Sequence, residues 1–345
     1  MQNLQISNQY FVTVIAAVTL IKLGFAIFIP AQYAEAYYVL QSQHLSPIYF
    51  DQPPMVAWLI SLLSVISDKM PWLRVFALLA TLYAAWFVFI TTRRISDENS
   101  ARFTTLLFIL SPSYLLMFFI SSDAPVVLAS LFGVWAFFEA AKQGSKGLAI
   151  LSGFAFGLGL LSKYLILLPL LGVMVYALFV ERRRHLPLLL VSVLSMLPFI
   201  LQHLYYNYLN CWENLNLYVF VLGQDFFQGP EYPGFKSFLF FLLGSLVVFT
   251  PWGLWYYWRA CEWQVNKRAK YLFVVILTSL FVMGLISFVS VIGLHFFLVF
   301  SPFVFILYSF IKNDRARRWM LRWSYLYAGV WILLFAGILL FPWQR

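Results

Sequence analysis

An all-α, polytopic transmembrane fold is what this sequence predicts, and three observations predict it. Hydrophobic residues make up 63% of the 345, charged residues only 10%, and mean hydropathy is +0.84. Soluble domains average about 45–50% apolar and about 25% charged, so no single soluble core could bury this much apolar surface. The apolar residues also fall into windows of roughly 20, the length an α-helix needs to cross a bilayer. Finally, Lys and Arg gather in short loops between those windows, giving a net charge of +10. That clustering is a topology signal, and it removes the reason to expect nucleic acid as a partner.

In chain order the expected spans are 10–30, 74–92, 102–120, 124–141, 147–162, 164–180, 186–203, 237–257, 270–290, 295–311 and 320–342. That makes about eleven, in one transmembrane domain over 1–345. The segment 54–67, "PMVAWLISLLSVIS", is short for a crossing and reads as interfacial or re-entrant. With 54–67 not crossing, 17 of the 23 Lys and Arg share one face, which the positive-inside rule makes cytoplasmic, with the N-terminus inside. The other face collects Glu35, Asp51, Asp68, Asp123, Glu213, Asp225 and Glu231, with His44, Lys163, Lys236 and His295. It also carries a first external loop over 31–73 and a long loop over 204–236, so chemistry is expected to face outward.

Ala34-Glu35-Ala36 looks like a cleavage site, but the N-terminal region has no Lys or Arg before Lys22, and the first helix reads as retained. Cys211 and Cys261 fall in loops assigned to opposite faces, so no disulfide is expected between them, and the His and Cys show no zinc spacing. No cofactor is certain, and a divalent metal stays open.

Several residues invite a chemical role. Glu35 and Asp51 bracket a short amphipathic helix expected to end near Pro47, and Pro53-Pro54 would hold Asp51 on a rigid arm. Asp123 precedes a helix with Pro125 in its first turn, so it reads as an N-cap, as a fixed carboxylate at the membrane edge, or as both. Lys163 is a lone cation between two apolar runs; it suits a lipid phosphate, or it snorkels to the headgroups. Asn207, Asn210 and Trp212 could bind a polyol by hydrogen bonds and stacking, although loop asparagines commonly just form turns. A lone His295 reads more readily as structural.

The stretch "AEAYYVLQSQHLSPIYFDQPPMVAWLI" resembles the first external loop of the bacterial dolichyl-phosphate-mannose-protein mannosyltransferase-like family, a branch of the GT-C glycosyltransferases. Relatives of the lipid A aminoarabinose transferases belong there. The family loop reads approximately D-E-A-Y-Y and then Y-F-D-H-P-P. In the same order, "SSDAPVVLASLFGVWAFFEAA" resembles its T-D-A-P segment, "GLGLLSKYLILLP" its L-L-S-K-Y-T segment, and "LPFILQHLYYNYLNCWENLNLYVF" its W-N…W-x-x-F loop. The likeness covers about 10–310.

The resemblance implies an inverting transferase that moves a sugar from a polyprenyl-phosphate carrier to an envelope glycan, lipid or protein acceptor. It would act on the outer face of a bacterial inner membrane, among membrane lipids. On that pattern Asp51 and Asp123 line the catalytic cavity and Lys163 contacts the carrier phosphate. Tyr49, Gln52 and His295 join the substrate-binding set, and Asn207 and Trp212 lie in a loop that closes over the sugar. Two positions depart: Ala34 stands where the family has its first-loop aspartate, and Gln52 replaces a His or Lys. Either Glu35, Asp51 or Asp123 takes the base role, or the chain binds or flips sugar carriers without transferring. A secondary transporter would instead place polar sites near the midplane. The chain ends at Arg345, soon after its last span, and no soluble C-terminal domain is expected.

Overall fold

The computed structural model describes residues 4–179, 182–217, 234–260 and 267–340, and among them every regular element is helical. Cys261, Asp225 and Glu231 lie outside the described residues, as does the 218–233 part of the 204–236 loop. The chain begins with α1 (Asn8–Phe28), α2 (Tyr33–Ser42), α3 (Met55–Ser64), α4 (Met70–Leu73), α5 (Val75–Ile95) and α6 (Glu98–Ile109). It continues with α7 (Pro112–Leu115), α8 (Asp123–Gln143), α9 (Lys146–Leu160), α10 (Leu167–Phe179) and α11 (Arg182–Leu209). The last five are α12 (Gly234–Phe249), α13 (Pro251–Ala260), α14 (Lys267–Ile286), α15 (Ser301–Leu307) and α16 (Asp314–Leu340).

Local chemistry sets many of the ends. Ser7, Asp97 and Ser145 cap α1, α6 and α9 by accepting from the backbone N–H three residues on. Gly144, at φ 71°, closes α8 in the left-handed conformation that glycine adopts without strain. A turn then sends α9 back along α8, and α9 in turn packs on α11. At Gly153 a Cβ would stand 1.8 Å from the Ser192 carbonyl oxygen, so the α9–α11 approach requires glycine there. The core is one large apolar cluster, in which α6, α8 and α15 are the most enclosed, with two small ones beside it around Tyr38 and Ala77.

A helix coincides with each expected apolar window, but length separates them. Among the described residues six helices are long and apolar enough to cross a membrane, a seventh if one bent pair counts as one span, and the others are shorter. The window 102–120 is not one helix: α6 stops at Ile109, ahead of Ser111-Pro112, where proline disfavours continued helix. The window 237–257 bends by 83° between α12 and α13, at Thr250-Pro251, with Thr250 held at φ 65°. The window 295–311 divides into a 3-10 stretch Leu294–Val299, α15, and a 3-10 turn Tyr308–Phe310. Hydropathy cannot see these breaks, because a helix buried among other helices is apolar whether or not it spans. At ten residues, about 15 Å long, α3 is indeed too short to cross.

Two buried cations tie α1 and the first loop to the bundle. Lys22, in α1, donates to Thr81 Oγ1 (3.0 Å) and the Tyr114 carbonyl (2.7 Å), and lies 3.9 Å from the centre of the Tyr114 ring. Arg74, 0% exposed at the start of α5, uses all five of its N–H donors. Three reach the carbonyls of Ala26, Ile29 and Pro30, closing the end of α1, and two grip Glu35.

Candidate active site

The first long loop is built as a cradle. In α2, Glu35 closes a capping box with Gln32, whose backbone N–H donates to Oε2 at 2.9 Å. Its other contacts are Arg74 Nε (2.8 Å) and Nη2 (2.6 Å) and the Ile120 N–H (2.9 Å). The side chain is 1% exposed, so this carboxylate is fully occupied in joining α1, α2, α5 and the segment before α8. Such an arrangement is at odds with Glu35 standing in for the carboxylate absent at 34. Ala34 itself is exposed, and helical spacing puts it on the α2 face that carries Tyr37, Tyr38 and Gln41.

That face meets Asp51. Tyr37 Oη donates to Asp51 Oδ1 at 2.8 Å, and Gln41 Nε2 reaches the same oxygen at 3.4 Å. Tyr38 Oη donates to Gln52 Oε1 at 3.4 Å. Burial pushes the Tyr37 phenol up, and the hydrogen bond to Asp51 adds to it. Burial likewise raises the Tyr38 phenol, with the charges of Asp123 and Asp51 both contributing. Tyr38 thus lies within reach of the fields of both carboxylates, which brings the two sequence candidates to one place.

Two hydrogen bonds to backbone carbonyls assemble that place. The Met55 N–H donates to the Leu161 carbonyl at 2.9 Å, pinning the Asp51–Pro54 arm to the turn after α9. Ser162 Oγ donates to the Ser122 carbonyl at 2.8 Å, pinning the same turn to the start of α8. Asp123 and Lys163 then meet, Nζ to Oδ1 at 2.7 Å, with side chains 10% and 17% exposed. Asp123 is the first residue of α8 rather than its N-cap; Ser122 holds the cap position and makes no side-chain cap bond. The Asp123 carboxylate is directed to Lys163 instead.

Phe296 presents its ring 5.2 Å from Lys163 Nζ, and the exposed His295 lies edge-on to Phe296 at 4.6 Å, near enough to feel the charges of both Lys163 and Asp123. Beside the start of α8 a small apolar crevice, with room for about one water molecule, lies between α3 and α5, lined by Leu59, Leu63, Phe76, Ile120 and Pro125 among others.

The long-loop residues divide differently from expectation. Asn207 is fully buried: its Nδ2 donates to the His203 carbonyl (2.9 Å), and its Oδ1 and backbone oxygen accept from the N–H groups of Leu215 (3.0 Å) and Trp212 (2.7 Å). It forms the turn that ends α11 and leaves no polar atom for a sugar. Trp212 is 42% exposed, and both it and Cys211 sit at positive φ.

Asn214 is the residue that sequence reasoning passed over. Fully buried, it donates to the carbonyls of Tyr49 (2.9 Å) and Phe50 (3.0 Å), immediately before Asp51, and accepts from Tyr164 Oη, immediately after Lys163. It therefore bridges the arm bearing Asp51 and the turn bearing Lys163. Tyr49 contributes mainly through its backbone, while its hydroxyl donates to the Gln41 carbonyl at 2.8 Å. In the sequence Asn214 is one of several loop asparagines, and nothing distinguishes it. Among the described residues no group of three or more His, Cys, Asp or Glu is arranged to hold a metal ion.

Residues 51–206 match the model of the dolichyl-phosphate-mannose-protein mannosyltransferase family. The structure of ArnT from Cupriavidus metallidurans in the apo state superposes with a TM-score of 0.65 at 18% identity, covering 87% of this chain and 59% of that one. The same protein bound to undecaprenyl phosphate gives 0.65 at 19%, covering 88% and 60%. The chain therefore has the fold of ArnT, and its residues 51–206 resemble the dolichyl-phosphate-mannose-protein mannosyltransferases.

Lipid A galacturonosyltransferase RgtD of Rhizobium johnstonii is 30% identical over 141 residues, which is 40% of this chain and 30% of that protein. The oligosaccharyltransferase of Archaeoglobus fulgidus in the apo form has a TM-score of 0.51 at 14% identity, covering 94% of this chain and 56% of that one. The chain thus spans well under two thirds of these relatives. The stretch shared with the family includes Asp51, Gln52, Asp123 and Lys163, and stops short of Asn207, Asn214 and His295.

Proposed function

We propose that this chain transfers a sugar from a polyprenyl-phosphate carrier to an envelope acceptor at the outer edge of a bacterial inner membrane, with Asp51 as the base and Lys163 as the carrier-phosphate contact. The observation that carries this reading is the convergence of Asp51 with the Asp123–Lys163 pair around Tyr38, fixed by the Met55–Leu161 and Ser162–Ser122 hydrogen bonds. Transfer needs a base for the acceptor hydroxyl and a cation for the charge that develops on the departing phosphate. Asp51 removes the proton as the hydroxyl oxygen bonds to the anomeric carbon. The bond from that carbon to the phosphate oxygen breaks, and its electron pair leaves with the phosphate beside Lys163. Asp123 holds Lys163 in place before the carrier arrives, and Tyr37 and Gln41 orient Asp51. The likeness to the undecaprenyl phosphate-bound ArnT fold supports a carrier of that class.

The exposed Ala34 favours a second reading, in which the chain binds or flips the carrier without transfer. One experiment separates the two: the purified chain, reconstituted in lipid, is offered a panel of polyprenyl-phosphate sugars, with carrier binding and carrier release scored separately. Transfer predicts release that falls ~10²–10⁴-fold in Asp51→Asn while binding is kept. Binding with no release in the parent, and release gained in Ala34→Asp, would establish the second reading.

A further inference from the structure

Helix α13, "PWGLWYYWRA", has no part in the site above, and its build is unlike that of the spans around it. It leaves α12 through an 83° bend at Thr250, so it runs nearly across the direction of the helix before it. One side packs inward. Trp252 Nε1 donates to Ser324 Oγ at 3.1 Å, and Tyr257 faces Tyr308 at 6.1 Å between ring centres. A Cβ on Gly253 would stand 2.7 Å from the Tyr308 ring, so glycine is what lets the helix seat this closely.

The other side is a single stripe of Pro251, Trp255, Trp258 and Arg259, at helical spacing and all exposed. Trp255 is 55% and Trp258 83% exposed, and the Arg259 guanidinium lies 4.6 Å over the Trp255 ring. The depth of the helix follows from its partners. Lys312, Arg317 and Asp97 mark the charged rim, and α16 begins there at Asp314. Tyr308 lies just before that rim, and Ser324 lies about 15 Å along α16 from Asp314. Helix α13 therefore starts deep, with Trp252 level with Ser324, and its far end, where Tyr257 meets Tyr308, comes close to the face on which Lys and Arg concentrate. Tryptophan rings with a cation held beside them are the composition of a helix lying in the headgroup layer.

We propose that the far end of α13 is an interfacial anchor whose Trp255–Trp258–Arg259 stripe docks on anionic phospholipid headgroups of the leaflet at the Lys- and Arg-rich face. Charge complementarity commits it to that occupant: Arg259 makes no ion pair among the described residues, and the surrounding face is basic. The stripe is separate from Asp51 and Lys163, so the assignment stands or falls independently of the transferase reading.

The test uses the full chain in lipid nanodiscs. An environment-sensitive label is attached through Trp258→Cys, in a background carrying Cys211→Ser and Cys261→Ser. Expected is quenching by nitroxide placed near the lipid headgroup, with weaker quenching from nitroxide at the chain end or from an aqueous quencher. A label placed through Leu326→Cys, exposed and about 18 Å along α16 from Asp314, should show the opposite depth order. Arg259→Gln, which leaves the packed side untouched, should lower the preference for phosphatidylglycerol over phosphatidylcholine by about fivefold. Dominant quenching from water would put the helix in solvent and overturn the proposal. Dominant quenching from the chain end would make α13 an ordinary membrane-core segment, and disulfide pairing of the unlabelled Trp258→Cys variant between two copies would make the stripe a dimer contact; either result also overturns it.

Discussion

Glu35→Gln separates structure from catalysis at the point where the two were easiest to confuse. The parent carboxylate accepts four hydrogen bonds, two of them from an arginine that is itself fully buried. An amide keeps the shape but removes the charge, and it turns an NH₂ toward either Arg74 or the Ile120 and Gln32 amides. Arg74 is left as an uncompensated buried cation, a defect of roughly 3–5 kcal/mol. At about 2 °C per kcal/mol, suited to a large domain, the unfolding midpoint should drop by roughly 6–10 °C. The assay is thermal unfolding of the purified chain in detergent, followed by intrinsic tryptophan fluorescence. Replacing both partners with Met should recover much of the loss, because the charge and its counter-charge leave together. An unchanged midpoint in Glu35→Gln, with turnover down ~10²–10⁴-fold, would refute this reasoning and make Glu35 a base.

Other outcomes follow from the same contacts. Lys163→Ala should weaken undecaprenyl phosphate binding by roughly 1.5–3 kcal/mol, measured by titration into the reconstituted chain, with Lys163→Arg keeping part of it; unchanged affinity would reduce Lys163 to an anchor. Asn214→Ala strands the buried carbonyls of Tyr49 and Phe50, so amide exchange over 48–52 should speed up more than over 123–130, with Tyr164→Phe milder. At the basic face, burial alone would push the Asp97 carboxyl up, but the Ser100 hydroxyl and amide and the Lys312 ammonium outweigh it and hold it well below the usual range. Its contribution is therefore complete above the unfolded value of about 4 and is lost as pH falls through the folded one, so Asp97→Asn should flatten the acid limb of an unfolding-versus-pH curve and lower the midpoint at neutral pH.

The sequence by itself determined what depends on local composition. Apolar windows located the helices, loop charges set the expectation of which face is which, and the YFDQPP, SSDAP and LLSKY stretches pointed to Asp51, Asp123 and Lys163 as candidates for one site. It also flagged Ala34 and Gln52 as departures. Only the tertiary structure decided how those groups are used. Arg74 read as one more cation beside the membrane until the fold placed it against Glu35, 39 positions earlier, and so removed that carboxylate from the list of free bases. Asn207 and Asn214 are alike in sequence, yet one closes a turn and the other bridges the two arms of the site, because Tyr49, Phe50 and Tyr164 come from distant parts of the chain. The bends at Ser111-Pro112 and Thr250-Pro251 escaped for a related reason. Hydropathy sums over neighbours along the chain, while a buried ion pair, a bridging amide and a bent helix are settled by neighbours in space.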